Sequence, residues 1–346
     1  MADKHAGVVQ ARPDRNVTGT IANLPEAEEL ITVEAPCCPV CGGNGSVHYE
    51  ELRDRLYRVP GVWSLSRCES CDSLWLNPRP HDDEIHKCYS EYLTHEGDEK
   101  TPHSDNAWLK VKDLFLAGRR REIESYDAMF LLAERQGRLL DVGCGNGSFL
   151  CSMRDRGWDV MGLEPDPKAV RIARERFGLD VVAGSLEKAD LPSSSFDAIT
   201  LSHVIEHVPD PSALLGRCFQ LLKSGGRLAI TTPNINSLGH HFFKHCWGAL
   251  EPPRHLVIFC PRSLLLVTKN AGFHILMAGT GERTASGIFM MSSLISSFGR
   301  VVDTPLPTYQ TVFRTLRRMG FVFVEHWGKK VFKDIGEEIG ILAIKA

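Results

Sequence analysis

The sequence predicts an α/β fold, a mostly parallel sheet covered by helices on both faces. Three observations predict it. From Arg138 to the end, short apolar runs alternate with helix-patterned stretches, the signature of strands joined by helical crossovers. The helical stretches carry Asp or Pro at their starts and Gly at their ends. The first apolar run, "RLLDV", passes straight into "GCGNG", whose glycines alternate where such a sheet presents its strand ends to a ligand.

The elements follow in order. "RLLDV" is the first strand, and "GSFLCSMRDRG" a helix that stops at Gly157. "WDVMGLEP" is the second strand, followed by the helix "DPKAVRIARERFG". "LDVVAG" and "FDAITLSHV" are the third and fourth strands. "DPSALLGRCFQLLKSGG" reads as a helix closed by its two glycines, and "RLAITTPN" as the fifth strand. "PRSLLLVTKNAGF" is a helix, "HILMAGT" the sixth strand and "EIGILAIKA" the seventh. About 55 residues separate the last two. An insert at about 284–335 holds the amphipathic stretches "IFMMSSLISSFG" and "TYQTVFRTLRRMGFVF". A packed helical addition is expected there; a lid, a dimer surface and a membrane-surface helix are the alternatives.

Upstream of the sheet the organisation changes. Residues 1–35 are polar and aperiodic, and are expected to be a mobile tail. Residues 36–80 form a cysteine- and glycine-rich module with β-type runs such as "LYRV" and "SLWL". Residues 81–135 read as a helical connector, with Trp108, Val111, Leu114 and Phe115 at helical spacing. Residues 136–346 hold the sheet.

Composition excludes several classes. The 346 residues are 43% apolar and 24% charged with net charge −3, so a large core is available and no global pull draws the chain to nucleic acid or an anionic surface. Neither a signal peptide nor an 18-residue apolar span is present, so a cytoplasmic protein without a membrane span is expected. Eleven cysteines, an odd number, point to thiols and metal rather than disulfides.

The glycine loop calls for a ligand. Gly143 and Gly145 lack a Cβ, so a ligand can approach the backbone, and Gly147 lets the next helix start close to the sheet. Glu164 ends the second strand, 23 residues after Asp141, where a carboxylate can accept bonds from both hydroxyls of a ribose. A dinucleotide fingerprint has its third glycine three places after the second; here the spacing is G-x-G-x-G. An Asp two residues ahead of the first glycine suits a ligand carrying an ammonium or sulfonium rather than a pyrophosphate.

With "LLDVGCGNGSFL", "GLEPDP", "AGSLEKADLPSSSFDAITLSHVIEHVPDP" and "LLKSGGRLAITTPN" in this order, residues 138–280 and the final strand resemble the class I S-adenosylmethionine-dependent methyltransferases. The resemblance implies a Rossmann-like seven-stranded sheet, mostly parallel, with the last strand antiparallel between the fifth and sixth. It implies S-adenosylmethionine as cofactor, with Asp141, Gly143 and Gly145 along its methionine end, Glu164 at the ribose, and Cys144, Gly147 and Pro165 also among the cofactor-binding residues. Ser185 and Leu186 flank the adenine, although relatives usually carry Asp or Asn where Ser185 stands. His203 lies near the sulfonium.

The cysteine module holds Cys38-x2-Cys41 and Cys68-x2-Cys71, 26 residues apart. Four thiolates at such knuckles predict a structural Zn²⁺ ribbon, with Cys37 a spare; buried free thiols are the alternative. A ribbon ending in "LWLNPRP" before a methyltransferase also resembles bacterial enzymes of sugar and natural-product methylation. Five Arg against five acidic residues in 36–80 give no basic stripe, so nucleic acid is not expected. Cysteines 88, 144, 151, 218, 246 and 260 are expected in the core.

Methyl transfer needs alignment and exclusion of water, and an oxygen nucleophile also needs a base. His203 and His255 are the candidate bases, followed by His240 and His241. Glu206 and His207 are expected to orient a turn, and Trp247 to form an apolar wall. "NSLGHHFFKHCWGALEPPRHLVIF", after the fifth strand, is expected as a loop over the substrate. The expected acceptor is a small hydroxylated or sugar-like molecule, a glycan precursor included, with O-methylation ahead of C-methylation. A nicotinamide oxidoreductase and a non-catalytic binding protein are the rivals. Oligomeric state is not readable.

Overall fold

The computed structural model describes residues 30–89, 120–301, 317, 320–321, 323–328 and 331–346. The N-terminal module contains β1 (Thr32–Val33), β2 (Gly45–Leu52), β3 (Trp63–Cys68), β4 (Leu74–Leu76) and β5 (Arg79–Pro80). The sheet region opens with helix α1 (Arg120–Asp127) and continues β6 (Arg138–Val142), α2 (Ser148–Asp155), β7 (Asp159–Glu164), α3 (Pro167–Phe177), β8 (Val181–Ala183) and β9 (Phe196–Ser202). Then come α4 (Pro211–Leu221), β10 (Leu222–Pro233), α5 (Leu238–Phe243), β11 (Val257–Ile258), α6 (Pro261–Asn270), β12 (Phe273–Gly281), α7 (Ala285–Phe298) and β13 (Glu338–Lys345).

Seven strands form one sheet in the order β12-β13-β10-β9-β6-β7-β8. Strands β10, β9, β6, β7 and β8 are parallel, and β13 runs antiparallel between β10 and β12. The final strand therefore lies where the resemblance implied. The caps explain why the helices begin where they do. Asp166 accepts from the Lys168 amide to start α3, Asp210 accepts from the Ala213 amide to start α4, and Pro occupies the first turn of both.

Alternation along the strands divides the core between two faces. Leu140, Val142, Ile199, Leu201, Leu228, Ile230, Ile339 and Ile341 pack on one face. Leu139, Ala198, Ala229 and Leu342 face the other way, against Met129, Phe130, Leu131, Met153 and Trp158.

Several expectations shift. The stretch "LKSGG" does not continue α4: the helix ends at Leu221, and Leu222 already pairs with Phe196 before a register shift that ends at Arg227. Leu222 has extended backbone and Gly225 a φ of 78°, so the glycines bend a strand rather than close a helix. "LYRV" is not a strand. The amides of Leu56, Tyr57 and Val59 instead converge on the Asp54 carboxylate. The tail boundary moves too, since Thr32 and Val33 pair with Pro80 and Arg79; residues 1–29 lie outside the described residues. So do 90–119, with Trp108, Val111, Leu114 and Phe115. Of the insert, α7 is described and residues 302–316 are not.

The cysteine module is not a separate bead. Its sheet runs β11-β4-β3-β2, and β11 comes from residues 257–258. Its Trp63, Leu65, Leu74 and Leu76 belong to the same buried cluster as Leu140 and Ile230. A module with too little core of its own borrows one from the larger sheet. A buried ion pair adds a second join: Arg254 Nη1 and Nη2 lie 2.7 and 2.9 Å from the two oxygens of Asp54, with both side chains fully buried.

Candidate active site and cysteine centre

The carboxyl ends of β6, β7 and β9, three adjacent strands, bring together the glycine loop, Glu164 and His203. Gly143 and Gly145 have φ of 71° and 54°, a left-handed backbone that other residues enter at a cost. The two differ in what surrounds them. A Cβ on Gly143 would meet Val204 Cγ2 at 2.6 Å, whereas one on Gly145 would meet nothing within 4 Å among the described residues. Gly145 is thus the open position expected of a ligand-facing backbone. At Gly143 the missing Cβ also makes room for Val204. Gly147 does let α2 start close in, since its missing Cβ leaves room for Leu179 Cδ1 and Ala173 Cβ.

Glu164 is buried, and its carboxylate holds the loop. Oε2 accepts from the Gly145 amide at 2.8 Å, and Oε1 accepts from the Asp166 amide at 2.9 Å. Asp141 is buried beneath the same loop and accepts from the Thr200 hydroxyl at 2.6 Å. Burial pushes its carboxyl up to about 7; the Thr200 bond opposes that shift and the Glu164 charge adds to it. Among the described residues no cation stands beside Asp141, and such a buried carboxylate regains its charge most readily when a positive ligand arrives. Thr200 carried no sequence signal, because its pairing with Asp141 spans 59 residues and depends on strands β6 and β9 being neighbours.

The remaining expected cofactor residues fall into two kinds. Pro165 is exposed after β7 and Ser185 is half-buried after β8. Cys144 and Leu186 are buried. Cys144 Sγ sits where a Cβ on Gly162 would fall, so its side chain belongs to the core and only its backbone lines the loop.

His203, just past β9, has a φ of 55°. Nδ1 is 3.1 Å from Glu206 Oε1 and Nε2 is 2.7 Å from Glu338 Oε1. Burial alone would lower its pKa, but the two carboxylates overcome that and raise it to about 10. Both ring nitrogens donate, leaving no lone pair to take a proton. The first candidate base is therefore a fixed imidazolium in this arrangement. Burial tends to raise Glu206, but His203 dominates and holds it down at about 2.

His255 behaves oppositely. Its Nδ1 lies 2.8 Å from the Ala249 carbonyl, and burial lowers its pKa to about 4. It stays neutral and keeps a lone pair. Its ring centroid is 4.7 Å from that of His207, which burial and the neighbouring His255 likewise lower to about 4. His240 is also neutral, lowered to about 4 by burial, with Nε2 2.9 Å from the Tyr49 hydroxyl. His241 Nδ1 lies 2.9 Å from the Ser237 carbonyl.

The stretch expected as a covering loop is largely folded inward. It forms α5 and two 3-10 turns at Lys244–Cys246 and Gly248–Leu250. Trp247 is a buried wall, and its Nε1 also donates to Glu337 at 2.9 Å. Burial pushes Glu337 up to about 7.

Some 135 residues beyond His203 in sequence, Glu338 was invisible to motif reading. It reaches the site because β13 starts at the edge where β9 and β10 end.

In the cysteine module, one Sγ from each of Cys38, Cys41, Cys68 and Cys71 lies within 4.8 Å of the others. Cys38 and Cys71 are 3.6 Å apart, and Cys41 and Cys68 3.4 Å. Thiolates on a tetrahedral Zn²⁺ at about 2.3 Å stand slightly under 4 Å apart, so the donor set fits that ion in number, type and spacing. Cys37 is exposed and outside the set. Of the other six, Cys88, Cys144, Cys218 and Cys260 are buried as expected, while Cys151 and Cys246 are half-buried.

Residues 115–278 match the model of a methyltransferase domain family. The ubiquinone biosynthesis O-methyltransferase of Xanthomonas oryzae is 40% identical over 103 residues, 28% of this chain and 43% of that one. The enzyme of the same name from Idiomarina loihiensis is 35% identical over 146 residues, 39% of this chain and 60% of that one. The chain thus spans about half the length of the curated relatives it matches. A solved S-adenosylmethionine-dependent methyltransferase from Archaeoglobus fulgidus, 20% identical, superposes with a TM-score of 0.42 over 70% of this chain and 100% of its own.

Proposed function

Because residues 115–278 match the model of a methyltransferase domain family, we propose that the chain is a class I S-adenosylmethionine-dependent methyltransferase that transfers a methyl group from that cofactor to a small hydroxylated acceptor. O-methylation is favoured over C-methylation, and a sugar-like acceptor is the finer reading. The observation that carries the proposal is the Gly145 position, open on its ligand side and pinned by Glu164 above the buried Asp141.

Each group has a task in that reaction. Asp141 supplies a negative charge for the amino acid end or the sulfonium. Glu164 fixes the loop through the Gly145 amide and is the carboxylate that would receive the ribose hydroxyls. Gly145 allows close approach, and Ser185 and Leu186 border the adenine. His203, clamped by Glu206 and Glu338, holds a positive charge at the edge where the acceptor enters. Neutral His255 is the better placed of the two candidates to take a proton. Bound S-adenosylmethionine supplies the activated methyl carbon; the protein's part is alignment and exclusion of water.

Zn²⁺ in the four-cysteine centre completes the reading as a structural ion held by Cys38, Cys41, Cys68 and Cys71. Its support is the spacing of the sulfurs and a module that borrows its core from elsewhere. Among the described residues, no helix is long and apolar enough to cross a membrane.

The test is a calorimetric titration with S-adenosylhomocysteine and, separately, NADH. Selective binding of the first is expected, and selective binding of NADH would overturn the proposal. A methyl-transfer screen over phenols, polyols and nucleotide-sugars then assigns the acceptor.

A further inference from the structure

His203 is the centre of a bridge of charges. Its Nε2 donates to Glu338 Oε1 at 2.7 Å and its Nδ1 to Glu206 Oε1 at 3.1 Å. Two carboxylates against one imidazolium leave the bridge with one negative charge in excess. Glu206 and Glu338 are both buried, so solvent screens that excess weakly. The two carboxylates are not equally satisfied. Glu206 Oε2 accepts from the Thr232 hydroxyl at 2.9 Å. Glu338 Oε2 is buried and meets no donor among the described residues. The unbalanced charge therefore lies on the Glu338 side, a costly state that a nearby cation relieves.

The backbone ties this bridge to the glycine loop. Glu338 opens β13 opposite Pro233, the last residue of β10, and the His203 amide donates to the Thr231 carbonyl of β10 at 3.0 Å. Val204, the next residue, takes the space that a Cβ on Gly143 would fill. The bridge thus stands beside the turn assigned to the cofactor, on the β9 and β10 side, whereas Asp141 lies beneath the turn on β6.

We propose that Glu338 selects the cofactor by charge: the excess negative charge it gives the His203 bridge favours the sulfonium of S-adenosylmethionine over the uncharged thioether of the product. The inference rests on the methyltransferase reading and adds to it the residue that tells donor from product. Methyl transfer removes the positive charge from sulfur, so the attraction that holds the donor vanishes with the reaction and the product leaves more readily. The sulfur has already given up part of its charge in the transition state. Glu338 therefore acts on donor affinity and product release rather than on the rate of the chemical step.

The experiment is a calorimetric titration of the full chain with S-adenosylmethionine, S-adenosylhomocysteine and sinefungin, which carries an ammonium where the donor carries its sulfonium. It is run at about pH 6, below the ordinary histidine value, so that Glu206 alone keeps His203 charged in the variant. In the unaltered protein both cationic ligands should bind more tightly than the thioether. Glu338→Gln should weaken both cations about 10-fold and leave the thioether within about twofold, which also shows that the variant folds with its site intact. A merely structural role for Glu338 would move all three affinities together, and that result would overturn the proposal. Unchanged affinities for the two cations would do the same. Failure of the unaltered protein to bind S-adenosylhomocysteine would instead remove the methyltransferase reading, and this inference with it. Should Glu338→Gln not fold, the unaltered protein decides alone: a thioether bound as tightly as either cation refutes the selection, and tighter binding of both cations upholds it.

Discussion

Asp141 and Thr200 show what a single side chain does at this site. Asp141 sits in the apolar interior with one hydroxyl for company, and its carboxyl titrates near 7 rather than near 4. A raised folded-state pKa means that this group's contribution to stability is complete below about pH 4 and is lost as pH rises through about 7. Stability of the free protein should therefore fall across that window, and Glu337 adds a slope of the same sign. Asp141→Asn should flatten the slope, as read from thermal melts at a series of pH values. Affinity for S-adenosylmethionine should rise over the same window, because the cation favours ionised Asp141. The Asn variant should bind at least about 10-fold more weakly, the loss of one charge-assisted contact. Sequence spacing picked out Asp141 and Glu164 because both lie beside a motif whose geometry is local. It picked out His203 as well, but not its state: the two carboxylates that fix its charge arrive from different places in the chain.

Among the elements, the strand-to-helix turn at Gly147 is tightly packed. Its φ of 85° and the adjacent Leu179 leave no room for a methyl group. Gly147→Ala should cost about 1–3 kcal/mol in denaturant unfolding. Cofactor binding by the folded fraction should weaken as well, since the turn positions Gly145. The cysteine knuckles make a comparable demand. Cys68→Ser should lower bound zinc to below one equivalent and reduce the melting temperature, with elemental analysis and a thermal scan as the measurements. Helix starts at Asp166 and Asp210 were legible because a cap is a contact between near neighbours. The end of α4 was not. Two glycines after an apolar helix normally stop it, yet pairing with β9 recruited Leu222 into the strand, and tertiary hydrogen bonds outweighed local propensity.

At the scale of the whole molecule, the cysteine module and the large sheet are one body. Strand β11 completes the module's sheet, and Asp54 and Arg254 meet across 200 residues in full burial. Asp54→Ala would leave the buried Arg254 with Glu251 but without its bidentate partner, and would take the acceptor from the Leu56, Tyr57 and Val59 amides, so about 3–5 kcal/mol of stability should be lost. The double variant Asp54→Ala with Arg254→Met should recover part of that loss in a double-mutant cycle by chemical denaturation. A single unfolding transition is expected for ribbon and sheet together, and a ribbon that melts separately would contradict the shared core.

The sequence by itself determined the strand and helix order, the glycine loop with its two acids, and the four-cysteine set. All of these rest on contacts or periodicities confined to about 30 residues. Only the tertiary structure decided that Gly143 is packed while Gly145 is open, and that His203 is held as a cation. It also decided that the ribbon is a wall of the larger domain. Those facts depend on which strands are neighbours and on how deeply each charge is buried. Burial and long-range partners set a side chain's protonation, and neither is written in the spacing of residues along a chain.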